Sequence, residues 1–102
     1  MKLIREILYK VEINSVIGNT SLTINKIEFD SRLIKEGDMY VAIKGVNVDG
    51  HDFIPQAIQN GANCIICEKT PDQKVDDVVY VNVSSSRKAL AIISSNYYDN
   101  PS

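Results

Sequence analysis

Residues 30–53 read DSRLIKEGDMYVAIKGVNVDGHDF. The middle of this stretch, Met39 to Gly45, is a nearly continuous apolar run closed by a glycine. Such a run fits a strand buried on both faces, as in a parallel sheet covered by helices. Before it, "DSRLIKEGD" is a polar connection in which Gly37 takes a turn conformation that other residues avoid. After it, "VNVDGH" is a second polar loop and holds the single histidine, His51. A buried strand between two polar turns is the frame from which the rest of the chain is read.

On the C-terminal side, Asp52 is expected to cap a helix whose first turn tolerates Pro55. Phe53 with Ala57, and Ile54 with Ile58, then share its face at i,i+4 spacing. Gly61 follows Asn60 as its stop. "NCIICE" (63–68) and "VVYVNV" (78–83) are two further apolar strands, separated by the exposed loop "KTPDQKVDD" (69–77). Ser84 to Ser86 offer caps for a last helix with Ala89, Leu90, Ile93 and Tyr97 on its apolar face, stopped by Pro101. On the N-terminal side, "LTINKIEF" (22–29) reads as one strand with Ile27 and Phe29 on one face. "NSVIGNTS" (14–21) reads as a break. Leu3, Ile4, Ile7, Leu8 and Val11 recur at helical spacing, which predicts a helix over 2–12. Strands alternating with helices give an α/β fold: a small, open, mostly parallel or mixed sheet flanked by helices. The 102 residues make one domain, and the Pro-Ser at the end of the last helix reads as a domain boundary.

Bulk composition removes several classes of function. The chain is 44% hydrophobic and 24% charged, with a formal net charge of −2. A nucleic-acid binder relying on broad phosphate attraction needs a basic face, so nucleic acid is not an expected partner. No stretch approaches the roughly 18 apolar residues of a membrane span. The N-terminal "MKLIREILYKVEI" carries Arg5, Glu6 and Lys10 within its apolar pattern, unlike a signal peptide. A cytoplasmic protein with no membrane partner is expected. The two cysteines, Cys64 and Cys67, have the spacing of a redox dithiol or half a zinc site. On a strand, however, residues an odd number apart face opposite ways, so the pair reads as core.

Candidate chemistry lies in the two turns. Ligands of open α/β sheets gather beyond the carboxyl ends of the strands. The first turn offers Asp30, Ser31 and Arg32. The second offers Asn47, Asp49 and His51, framed by Val46 and Val48, with Gly50 between the last two polar residues. Phe29 and Ser31 share a parity, as do Val46 and Val48. Together they are expected to form a shallow apolar slot with a hydroxyl at its rim, suited to a flat heterocycle. Each residue also has a purely structural reading. Asp30 makes an Asx-turn, Ser31 caps, Arg32 pairs with a surface carboxylate, and Asp49-Gly50 is an ordinary turn. His51 stands without further metal ligands or a nucleophile, so no metal site and no catalytic constellation is expected. The chain has no G-x-x-x-x-G-K-[ST] and no G-x-G-x-x-G stretch.

Four pieces occur in order: "DSR" (30–32), "GDMYVAIKG" (37–45), "DGHDFIPQAIQNGA" (49–62) and "SRKALAIISSNYYDNPS" (86–102). Together they resemble the N-terminal domain of the Mur ligases, most closely the MurE type. The MurF type shares the earlier pieces, and the last favours MurE. The resemblance implies one N-terminal domain over 1–102 that holds the uridine diphosphate end of UDP-N-acetylmuramoyl-L-alanyl-D-glutamate. It implies substrate contacts at Phe29, Ser31, Val46, Asn47 and Val48. Asp30, Arg32, Asp49, Gly50 and His51 would then hold the turns. No catalytic residue and no cofactor site is expected within 1–102. Central and C-terminal domains, absent from this chain, would bring ATP and Mg2+ and couple meso-diaminopimelate or L-lysine to the D-glutamate in peptidoglycan synthesis. The alternatives are the MurF type, which adds D-alanyl-D-alanine, or a free-standing nucleotide-binding or protein-docking module.

Overall fold

The computed structural model describes residues 2–98. Its elements, in chain order, are β1 (Lys2–Leu3), α1 (Ile4–Ile7), β2 (Ile13–Ile17), β3 (Thr23–Ile24), β4 (Ile27–Glu28), β5 (Met39–Val41), α2 (Ile54–Gln59), β6 (Cys64–Cys67), β7 (Val79–Val83) and α3 (Ser86–Tyr98). Single 3-10 turns, Ser31–Leu33 and Gly50–Phe53, precede β5 and α2. Five strands form one sheet in the order β2-β7-β6-β5-β4. The pairs from β4 to β7 are parallel, and β2 joins β7 antiparallel. This is the mixed, mostly parallel sheet that the apolar runs predict.

Alternation along the central strands sorts the core into two layers. Met39, Val41, Cys64, Ile66, Val79, Val81 and Val83 face Ile4 and Ile7 of α1 and Ala89 and Ile93 of α3. Tyr40, Ile65, Cys67 and Tyr80 face the other way, onto Ile54 and Ala57 of α2. The two cysteines therefore lie in different layers, both buried and free. Burial pushes both thiols up from their usual range, so neither is a ready thiolate.

Four local expectations are corrected. The helix predicted over 2–12 is a single turn, because Lys2 and Leu3 extend to pair with Ile24 and Thr23, and Lys10 turns to φ 69°. Its apolar spacing is nevertheless used: Ile4, Ile7 and Leu8 are buried under α3, and Asn96 Nδ2 donates to the carbonyls of Ile7 and Tyr9 at 2.7 Å. The break predicted at 14–21 contains most of strand β2, ended by Gly18 at φ 113°. The strand predicted over 22–29 is split, β3 going to the small sheet with β1 and β4 to the large one. Asp49, not Asp52, caps the second 3-10 turn, accepting the His51 N–H at 2.9 Å, and Phe53 occupies the cap position of α2. The predicted stop at Pro101 lies outside the described residues.

The amino ends of β4 and β5 are fixed by a buried charge. Asp38, 1% exposed, accepts from Lys26 Nζ at 2.6 Å and from the Lys35 N–H at 2.8 Å. Burial alone would lower the Lys26 pKa; the hydrogen bonds and charges of Asp38 and Glu28 outweigh it, and the ammonium is held above its usual range. Next to it, Gly37 donates to the Gly61 carbonyl at 2.8 Å. Gly61 has φ +114°, and a Cβ there would stand 2.5 Å from Glu36 Cα. Only glycine lets the end of α2 approach this turn.

At the carboxyl end of β5 the chain makes a tight hairpin. Lys44 bridges Asp49, the Gly45 N–H donates to the Val48 carbonyl at 2.7 Å, and the Gly50 N–H donates to the Ile43 carbonyl at 2.8 Å. The buried Tyr40 hydroxyl donates to the Gly50 carbonyl at 2.8 Å. Burial, with the charges of Asp30 and Asp49, pushes its pKa up to about 12.

Two expectations follow. In Lys26→Met the Asp38 carboxylate keeps one backbone donor but loses its countercharge. A fully buried pair would lose about 3–5 kcal/mol; with Lys26 partly solvated, about 2 kcal/mol is expected, read from the urea midpoint. Tyr40 has a folded pKa above its unfolded value near 10, so its contribution is complete below pH 10. It is lost as pH rises toward about 12. Phenolate absorbance should show one late-titrating tyrosine that vanishes in Tyr40→Phe.

Candidate functional site

The carboxyl ends of β4, β5 and β7 all border one open cleft of about 650 Å3. That volume is within the range of small-molecule sites. Phe29, Asp30, Ser31 and Arg32 enter from the segment after β4. Tyr40, Ile43, Gly45, Val48 and Gly50 enter from β5 and its hairpin. Phe53 and Gln56 come from the 3-10 turn and α2, and Arg87 from the start of α3. The two polar turns of residues 30–53 thus both line one cavity.

The first turn is built by Asp30. Its Oδ1 accepts from the Arg32 N–H and from Arg32 Nε, each at 3.0 Å, and its Oδ2 accepts from Arg32 Nη2 at 2.8 Å. The Arg32 side-chain and backbone hydrogen bonds hold the Asp30 carboxyl below its usual range. The same pairing raises the guanidinium pKa. Ser31 is buried. Its Oγ donates to Gln56 Oε1 at 3.1 Å, and its carbonyl accepts from Asn60 Nδ2 at 2.9 Å, so α2 pins the turn. Phe29 remains 62% exposed, its ring available to a ligand.

The second turn is built by Asp49 and His51. Asp49 Oδ1 lies 2.7 Å from His51 Nδ1, while His51 Nε2 accepts the Glu68 N–H at 2.9 Å. An acceptor at Nε2 places the proton of the neutral ring on Nδ1, aimed at the carboxylate. Hydrogen bonds from the His51 backbone and ring hold Asp49 below its usual range. The imidazole therefore ties the hairpin to the end of β6 and does not face the cleft.

Of the residues expected to touch substrate, Phe29, Ser31 and Val48 line the cleft, together with the turn residues Asp30, Arg32 and Gly50. Val46 and Asn47 form the hairpin tip, and Val46 is 99% exposed. The parity argument that grouped Val46 with Val48 assumes an extended strand, and the hairpin turns the chain between them. Asp49 and His51 lie behind the wall. Sequence reading missed Tyr40, Ile43, Gly45, Phe53, Gln56 and Arg87 as lining residues. For Arg87 the signal was present: it follows the serines at the carboxyl end of a predicted strand. Among the described residues no group of three or more His, Cys, Asp or Glu could hold a metal ion.

Residues 23–98 match the sequence model described as "Mur ligase family, catalytic domain". The UDP-N-acetylmuramoyl-L-alanyl-D-glutamate--2,6-diaminopimelate ligase of Clostridium botulinum is 50% identical over 90 residues, 86% of this chain and 19% of that protein. Its counterpart in Cytophaga hutchinsonii is 42% identical over 100 residues, 97% of this chain and 21% of that protein. The chain thus spans about a fifth of the length of the curated relatives it matches. Among solved structures, MurF from Acinetobacter baumannii superposes with a TM-score of 0.63 at 32% identity, over 72% of this chain and 16% of that one. The MurF ligase from Thermotoga maritima in complex with ADP gives 0.61 at 40% identity, over 72% of this chain and 16% of that one. A family pattern that runs through most of the sequence, on a sheet shared with these ligases, makes this chain a member of the Mur ligase family.

Proposed function

We propose that this chain is the substrate-anchoring domain of a MurE-type ligase and holds the uridine diphosphate end of UDP-N-acetylmuramoyl-L-alanyl-D-glutamate. The observation that carries the reading is the cleft that brings the turns after β4 and β5 together. Its exposed phenylalanine, Val48 and Ile43 suit the face of a pyrimidine, while Ser31 and Gln56 supply hydrogen-bonding groups at its edge. Val46 and Asn47, at the hairpin tip, close over the ligand from outside. Asp30, Arg32, Asp49, Gly50 and His51 hold the two turns in place. The MurE reading rests on the names of the sequence relatives. The MurF likeness of the solved structures concerns the shared fold.

In the ligase so proposed, ATP with Mg2+ supplies the activation of the D-glutamyl carboxylate toward the diamino acid. The residues here do not fit that group. The sequence holds no phosphate-cradling G-x-x-x-x-G-K-[ST], and no carboxylate cluster suited to a metal stands among the described residues. No step of that chemistry is assigned to them. Their contribution is remote binding: a nucleotide held far from the reacting carboxylate lowers the entropy cost of positioning it. The expected partners are the UDP-linked peptide substrate and the ligase's own central and C-terminal domains. No helix among the described residues is long and apolar enough to cross a membrane. The cytoplasm, where a soluble UDP-linked substrate would be met, is the proposed compartment.

The test is a titration of isotope-labelled chain with UDP, followed by amide shifts. Saturable shifts are expected at Phe29, Ser31 and residues 46–48, with Cys64 and Cys67 still. Shifts confined to the groove between α2 and residues 69–75 would sink the site assignment.

A further inference from the structure

Resting on the nucleotide-anchoring reading, we propose that Arg87 is the group in this cleft that receives the diphosphate. The cleft contains two guanidinium groups, and they differ in what already holds them. Arg32 faces Asp30 through Nε and Nη2 at 3.0 and 2.8 Å, so its charge is matched inside the turn. To bind a phosphate it would have to release that carboxylate, and the turn that Asp30 caps would loosen.

Arg87 has no such partner. No carboxylate pairs with it among the described residues, and its one hydrogen bond is from Nη2 to the Lys44 carbonyl at 3.5 Å. That distance is at the outer limit of a hydrogen bond, so little is lost when the group turns to a stronger acceptor. A guanidinium carries five N–H donors in a planar fork, which matches two phosphate oxygens side by side. A carboxylate at the helix start, Glu68, is engaged by the backbone, accepting the Ser86 N–H through Oε2 at 2.8 Å.

Position agrees with this role. Arg87 stands in the first turn of α3, a helix of 13 residues, on the same cleft as Phe29 and Val48. A base against Phe29 would send its ribose and phosphates along the wall toward Arg87, the one cleft cation among the described residues that no carboxylate pairs with. The bond to Lys44 also joins α3 to the base of the hairpin, so Arg87 would read the diphosphate where the β5 and β7 segments meet.

The test compares uridine, UMP and UDP on the wild-type chain, Arg87→Ala and Arg87→Lys, by amide shifts and calorimetry. Loss of a charged hydrogen-bonding partner should weaken UDP about tenfold in Arg87→Ala. Uridine should change by less than about twofold, since a charge contact is absent from that ligand. Arg87→Lys should recover part of the UDP affinity but not the bidentate share. Added salt should weaken UDP more on the wild type than on Arg87→Ala. Equal losses for uridine and UDP would show that Arg87 only braces the hairpin, overturning the proposal. So would unchanged UDP affinity with shifts still at Phe29 and Ser31. If wild-type chain shows no UDP shifts at the cleft, the nucleotide reading itself fails and Arg87's role goes with it.

Discussion

The cleft depends on one close crossing of backbone, at Gly50. The chain leaves a strand buried on both faces, turns back within a few residues, and passes over its own exit. At the crossing Gly50 donates to the Ile43 carbonyl, and its own carbonyl accepts the Tyr40 hydroxyl. A Cβ at residue 50 would stand 2.7 Å from the Ile43 nitrogen, 2.9 Å from its oxygen and 3.1 Å from Tyr40 Oη. The glycine is required by proximity rather than by dihedral angle, since its φ is not positive. Any side chain there would lift the hairpin from the sheet and take Val48 and the 3-10 turn with it.

The polar residues around that crossing divide by task. Asp30 and Asp49 each cap a 3-10 turn and each hold a side chain two residues on, Arg32 and His51. These are local closures, and both leave their carboxylates ionised and matched. His51 adds a long-range tie, since its second nitrogen accepts a backbone N–H from the end of β6. The signature residues of the two turns therefore stabilise the walls, and the surfaces left for a ligand are apolar side chains and a few hydrogen-bonding groups. For the anionic ligand proposed here, that division matters: although the chain has a net charge of −2, the acidic side chains at the cleft are consumed internally.

Much of the fold was legible because buried strands leave a strong imprint. The parity of Cys64 and Cys67 placed them in separate core layers, as found. Gly61 was read as a helix stop and adopts φ +114°. The failures have a common cause, which is that periodicity does not report length or pairing. Ile4, Ile7 and Leu8 satisfy a helical pattern with little more than one turn of helix, because Lys2 and Leu3 gain a sheet partner instead. Strand β2 was hidden because it is an exposed edge with little apolar alternation to read. The site followed the same rule. Ser31 and Phe29 could be grouped from local geometry, whereas Phe53, Gln56 and Arg87 reach the cleft from other elements, and only the sheet order brings them there.

This composite origin suits the anchoring role proposed for the chain. Each wall is tied to the core by a separate device. Asn60 and Gln56 pin the first turn to α2, Tyr40 and His51 hold the hairpin, and Ala89 and Ile93 bury the base of α3. The walls are therefore largely formed before a ligand arrives, and binding energy is not spent on assembling them. On the proposed reading, such a cleft can be open and shallow and still hold a nucleotide in a defined direction, with Phe29 and Val48 for the base and Arg87 for the phosphates. Direction matters more than strength for a remote anchor. Holding the nucleotide too tightly would favour the bound substrate and the transition state equally, lowering KM without raising kcat. For the proposed anchor, that constraint favours a modest, preformed and oriented cleft.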